Sequence, residues 1–271
     1  MSEDTNLMLT TPVVGALDRP KSIAIGDRAG TEDIGIDDIR LPRLGIAQGL
    51  SDQINPESSA YVDGLKLFDM FNDLTGEVHG RGPITFVPVR RDVRYIEFDP
   101  ENRGVPLDMD VPANDSRTQW TKDAAGKGVA PKALRFVEFV VLILSPGRLP
   151  EPIVISIKET NKFNRRAAEQ LTAFIVYRQA PIYAGLYTVA SKSEKNDKGT
   201  FGVYVMKNAG WIPKDTPGGA ALYEHCKLFS ESLANKTIVV TREPGDEAAG
   251  AEEGDAGGNA AGGTSFDTSK M

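Results

Sequence analysis

The chain has 271 residues, 40% of them hydrophobic, and a formal net charge of -7. That is enough apolar material for one domain with a core, and no apolar run approaches the roughly 18 residues that a membrane-spanning helix needs. A single cysteine, Cys226, excludes an internal disulfide, and with only two histidines, His79 and His225, a four-ligand Cys/His zinc site is out of reach. The first residues lack the charged-then-apolar layout of a secretion signal, so a soluble, cytoplasmic protein without a membrane partner is expected.

Residues 1–40 mix Gly, Pro, Asp and Thr without sustained periodicity and read as a flexible arm, with eight acids against four bases. Leu41–Leu50 (LPRLGIAQGL) is the first compact apolar stretch, and Leu65–Leu74 is expected to form a short turn or helix. Two alternating strands follow, Pro83–Arg90 and Val93–Phe98. In the second, Val93, Tyr95 and Glu97 face one way, and Arg94, Ile96 and Phe98 the other. Residues 99–131, which include Pro100, Pro106, Pro112 and Pro131, make a long irregular loop of the kind that is usually functional or mobile.

Leu134–Leu144 (LRFVEFVVLIL) is the strongest strand and is placed at the centre of the sheet, with Pro152–Ile157 as the next. Asn161 caps a helix running to about Tyr177, whose Phe163, Ala167, Leu171 and Phe174 share one face. Tyr183–Ala190 and Thr200–Met206 form a hairpin across the polar loop Ser191–Gly199. Gly218–Ala234 is a second helix, with Leu222, Cys226, Phe229 and Leu233 at helical spacing, and Lys236–Thr241 is a last strand. Short antiparallel strands with two helices predict an α+β, mainly β architecture of small-barrel type over residues 41–242.

The remaining residues, 243–271, form an acidic Gly/Ala-rich tail. Gly245–Gly263 has no apolar side chain larger than alanine, too little to offset the backbone entropy of folding, so the tail is expected to be disordered. From Arg242 onward there are seven acids and two bases. Taking -5 for this stretch and -4 for residues 1–40 from the total of -7 leaves +2 for residues 41–241. A mildly basic body with an acidic tail suits a protein that binds polyanions and must release them.

Enzyme chemistry finds little footing. There is no G-x-S-x-G, Walker-type or dinucleotide glycine loop. The best catalytic reading is a Mg²⁺-dependent nuclease with Glu97, Asp99, Asp108 and Asp110 as ligands and Lys158 closing the strand IVISIK. The acid that many nucleases carry two residues before such a lysine is Ser156 here, and Glu159 falls on the opposite strand face. Solvated loop acids are the preferred reading, with no catalytic residue and no cofactor or metal.

The cations make a different pattern, because they are interleaved with aromatics. Arg90, Arg91 and Arg94 lie beside Tyr95 and Phe98, and Lys122, Lys127 and Lys132 line the loop that holds Trp120. Lys158, Lys162, Arg165 and Arg166 surround the start of the first helix, and Lys192, Lys195 and Lys198 precede Phe201 and Tyr204. A single strand of nucleic acid needs this combination: Lys and Arg neutralise phosphates, and unstacked bases regain stacking on rings. The expected contacts are Arg90, Arg91, Arg94, Tyr95, Trp120, Lys122, Lys158, Lys162, Lys192, Lys195 and Tyr204.

The order of these segments resembles the bacteriophage single-stranded DNA-binding proteins, in particular the T-even-type helix-destabilising proteins and related phage early-region proteins. The resemblance covers roughly Leu41–Arg242. It rests on LPRLGIAQGLS, FVPVRRDVRYIEF, the long loop, RFVEFVVLIL, IVISIKETNKFNRRAAEQL and the hairpin PIYAGLYTVAS…GTFGVYVMKNAGW, followed by an acidic tail. It implies an oligonucleotide-binding (OB-fold-like) barrel with DNA in a basic, aromatic-lined cleft, action in replication or recombination in the host cytoplasm, and a tail that docks replication or recombination proteins. Self-association on DNA is left open. In one respect the chain departs from the T-even type, whose insert holds zinc through Cys and His. Gly104–Pro131 contains neither, so this loop is held by packing around Trp120 or orders only on DNA. The rival reading from another class is a virion structural or assembly protein with disordered assembly arms.

Overall fold

The computed structural model of the protein describes residues 41–101, 105–196 and 199–234. The expected arm, the last strand Lys236–Thr241, the acidic tail and Lys198 lie outside the described residues.

The described residues open with a small antiparallel sheet of β1 (Leu44–Ile46), β2 (Met70–Asn72) and β3 (Val78–Gly80), in that order. Part of Leu65–Leu74 is therefore strand, where a turn or helix was expected. Phe68, at φ 67, has a backbone conformation that a right-handed helix cannot contain.

The main sheet is antiparallel and mixes neighbours from along the chain. Its members are β4 (Ile84–Phe98), the short β5 (Pro106–Asp108), β8 (Ala133–Leu144), β9 (Glu151–Lys158), β10 (Gly185–Asn196) and β11 (Gly199–Trp211). A two-stranded ribbon, β6 (Thr121–Lys122) with β7 (Gly128–Val129), stands apart from it. The main order is β11–β10–β4–β8–β9, with β5 paired to the far end of β4. The two strands expected over residues 83–98 are one continuous strand, interrupted only by a register shift between Pro88 and Arg90. The shift falls at a proline, which cannot donate a ladder hydrogen bond and is tolerated at such irregularities. The sheets are open: among the described strands β9 and β11 are edges, and no closed barrel forms.

Both edges nevertheless touch the opening segment. Arg43 makes a parallel bridge to Val154 of β9, and the Val154 N–H donates to the Pro42 carbonyl at 2.8 Å. On β11 the Gln48 side chain replaces a missing strand, donating to the Gly202 carbonyl at 3.2 Å and accepting from the Gly202 N–H at 2.8 Å. The Tyr204 hydroxyl donates to the Leu44 carbonyl.

Two helices cover the two faces. Helix α1 (Lys162–Tyr177) begins at Asn161, whose side chain accepts from the N–H groups of Phe163 and Asn164, removing two orphan donors of the first turn. Its Ala167, Ala168 and Leu171 pack with Leu44, Met70, Phe86, Phe139, Ile155, Tyr187 and Met206. Helix α2 (Pro217–Ala234) covers the other face, setting Leu222, Cys226 and Leu233 against Val87, Val89, Val140, Leu142 and Val154. Burial pushes the Cys226 thiol up to about 12, which leaves it a packing residue and not a nucleophile. Among the described residues no helix is long and apolar enough to cross a membrane.

The long loop is organised by a charge cluster and not by Trp120, which is 59% exposed and lies over Gly128. Arg117 reaches Glu97 at 2.7 Å, Asp115 at 2.9 Å and Asp108 at 3.1 Å. Its guanidinium tethers the loop to the end of β4, and this bonding, joined by the Arg117 N–H, pulls the Asp115 carboxyl down from 3.8 to about 2.

Two expectations follow from this packing. A Cβ at position 202 would lie 2.5 Å from the Ile46 Cγ2, so Gly202→Ala lowers stability by about 1–3 kcal/mol in denaturant titration; unchanged stability would show that the opening segment is not docked on β11. The folded pKa of Asp115 is depressed, so its contribution is complete above the unfolded value and fades as pH falls through the folded one. An NMR titration of its carboxyl carbon should give a midpoint near 2, and a midpoint near 3.8 would show that the Arg117 cluster is not formed in solution.

Candidate nucleic-acid interface

The eleven expected contact residues are dispersed by the fold, and several are committed to the protein itself. Arg94 is nearly buried and pairs with Glu138, the one buried acid of β8, at 3.3 Å, and with Asp110 at 3.8 Å. Ser156 donates to the same Glu138 carboxylate at 3.2 Å. A carboxylate in this position is costly unless paired, so Arg94 serves the sheet interior. Arg90 donates to the Leu233 carbonyl at 2.7 Å and pairs with Asp92 at 2.8 Å, tying the last turn of α2 to β4. The Tyr204 hydroxyl is held by Leu44, and burial raises its pKa; this partly buried ring packs against the core on the α1 side. Tyr95 is half-buried near Arg135, whose own charge is opposed by burial but more than restored by its bond to Glu159.

Lys158 sits at the end of β9 with its ammonium 5.2 Å from the Phe98 ring centre and 6.0 Å from that of Phe136. Trp120 and Lys122 are exposed on the separate β6–β7 ribbon. The acids of the nuclease reading do converge in part, since Glu97 faces Asp108 across the β4–β5 pairing. The Arg117 guanidinium occupies the space between them, and among the described residues no three Asp, Glu, His or Cys side chains are grouped to hold a metal ion.

One region does gather exposed cations around rings. Phe163 in the first turn of α1 meets Phe201 of β11 edge-on, with centres 5.9 Å apart. This contact brings the start of α1 to the far end of the β10–β11 hairpin. Lys162, whose ammonium is 5.1 Å from the Phe163 ring centre, is exposed, as are Arg165 and Arg166 on the same helix and Lys192 and Lys195 on the hairpin. Lys192 is partly neutralised by Glu194 at 2.6 Å. Lys162 and Arg166 are one turn apart and so share the outer side of the helix.

The other end of α1 carries residues that sequence reasoning missed. Tyr177 is 82% exposed, and the next residue, Arg178, lies over the ring of Trp211, itself 55% exposed. Exposed Arg91, bonded to Thr172 at 3.2 Å, lines a shallow groove with Val176 and Tyr177. A sequence signal existed, in that Tyr177 falls off the stripe of Ala167 and Leu171. The pairing of Arg178 with Trp211 is set by the tertiary fold and leaves no local pattern.

A family model described as Pam3 phage gp34-like protein matches residues 15–239, a span that takes in part of the expected arm, the whole described body and part of the expected last strand. No curated protein and no solved structure matches. With most of its length inside that match, the chain is a phage protein and belongs to the Pam3 phage gp34-like family.

Proposed function

We propose that this phage protein binds single-stranded DNA without enzymatic chemistry, as a sequence-tolerant factor in replication or recombination, and that the outer side of α1 with the adjoining hairpin end receives the strand. The observation that carries this reading is the Phe163–Phe201 contact, which joins the start of α1, with exposed Lys162, Arg165 and Arg166, to the hairpin end that carries exposed Lys192 and Lys195. Cations neutralise phosphates and release counterions, rings accept unstacked bases, and neither contact reads base edges. The contacts of the opening segment with both edge strands, through Arg43 and Gln48, support an OB-like body although the sheet itself stays open. The acidic residues 243–271 act as a tethered competitor for the cationic surface, or as a docking segment for replication proteins.

Fluorescence anisotropy with single- and double-stranded oligonucleotides, with and without Mg²⁺, tests the reading. The expected result is a preference for single strands that weakens steeply with salt, with no cleavage. Lys162→Ala combined with Lys195→Ala should lower the salt slope by about 1.4, from roughly 0.7 per phosphate contact on a single strand. Strand cleavage in Mg²⁺ would favour the nuclease reading. A stable homo-oligomer without strand preference would favour a virion assembly role.

A further inference from the structure

Arg178 follows the last residue of α1 and is fixed from several sides. Its Nη2 donates to the Asn208 side-chain oxygen and to the Gly210 carbonyl. Its guanidinium carbon lies 4.9 Å from the ring centre of buried Tyr187 and 4.3 Å from that of Trp211. Gly185 is what admits it, since a Cβ there would come within 2.7 Å of the Arg178 Cζ and of the Tyr187 hydroxyl. The cation is thus clamped between an inner ring and an outer one.

The outer ring is the informative one. The guanidinium lies over one face of Trp211, and the residue is still 55% exposed. A ring already polarised by a cation on one face repels a second cation on the other and favours a flat, electron-rich partner. A ring resting on a fixed guanidinium also loses little conformational freedom on stacking. Tyr177, the residue before Arg178, is exposed as well, and its ring lines a groove with Arg91, Arg135, Glu159 and Glu169. Flat and electron-rich describes a nucleobase.

We infer that Trp211, backed by Arg178, is a stacking platform for an unpaired base, and that a single strand runs along α1 from the Lys162–Phe201 end to Trp211. This rests on the single-strand reading above. Sixteen residues of helix span about 24 Å, so the two ends act together only on a strand long enough to reach both.

The test uses the full chain with Trp120→Phe, which leaves Trp211 as the sole indole. Oligothymidylates at the short and long ends of OB-type sites, about 4 and about 16 nucleotides, are titrated while Trp211 emission and the anisotropy of the labelled strand are followed together. A saturable loss of Trp211 emission that tracks anisotropy, stronger binding of the longer strand, and an affinity loss of about 5- to 150-fold for Trp211→Ala with recovery in Trp211→Phe are expected. Binding with unchanged Trp211 emission would overturn this inference and leave the proposed function standing. Absence of binding at low salt would overturn both.

Discussion

Strand β8 has a partner strand on each edge and a layer on each face, and the rest of the molecule is arranged to supply them. Its residues Val137, Phe139, Val141 and Ile143 go to the α1 side, and Val140 and Leu142 to the α2 side. At about 1.5–3 kcal/mol for each large side chain removed from water, leaving either face open would be prohibitive for a domain of marginal net stability. The one carboxylate in this run, Glu138, then imposes its own requirement. It must be paired where water is excluded, and Arg94 and Ser156 are spent on it.

The same constraint positions the candidate interface. Helix α1 turns Ala167, Ala168 and Leu171 to the sheet, which leaves Lys162, Arg166 and Tyr177 on its outer side. Because α1 lies against β11, each of its ends is completed by a residue of that strand, Phe201 at the start and Trp211 at the finish. The charge cluster of Arg117 performs a comparable service for the long loop, holding it by ion pairs.

What was legible in the sequence was whatever depends on neighbours along the chain. The apolar run of β8, the Asn161 cap, the stripe of α1 and the hairpin strands all announce themselves by periodicity and cap chemistry, and α1 occupies Lys162–Tyr177 as expected. The hairpin strands extend through Ser191–Asn196, read as loop, because pairing partners across the hairpin override a polar composition. The site was less legible, because exposure is decided by distant packing. Arg94 and Arg90 look like surface cations until Glu138 and the end of α2 arrive beside them, and Tyr204 looks like a stacking ring until Leu44 takes its hydroxyl. Trp211 was overlooked for the converse reason: its importance comes from Arg178, 33 positions earlier in the chain.

The central claim is that the length of α1 and its β11 neighbours, and not the β6–β7 ribbon or the nuclease-like acids, faces the strand. Amide hydrogen exchange on the full chain with and without oligothymidylate tests this most directly. The account predicts slowed exchange in the first turn of α1, the far end of the β10–β11 hairpin and residues 207–211, with the acids around Arg117 unchanged. Protection confined to residues 115–130, or none under conditions where the strand is bound, would contradict it.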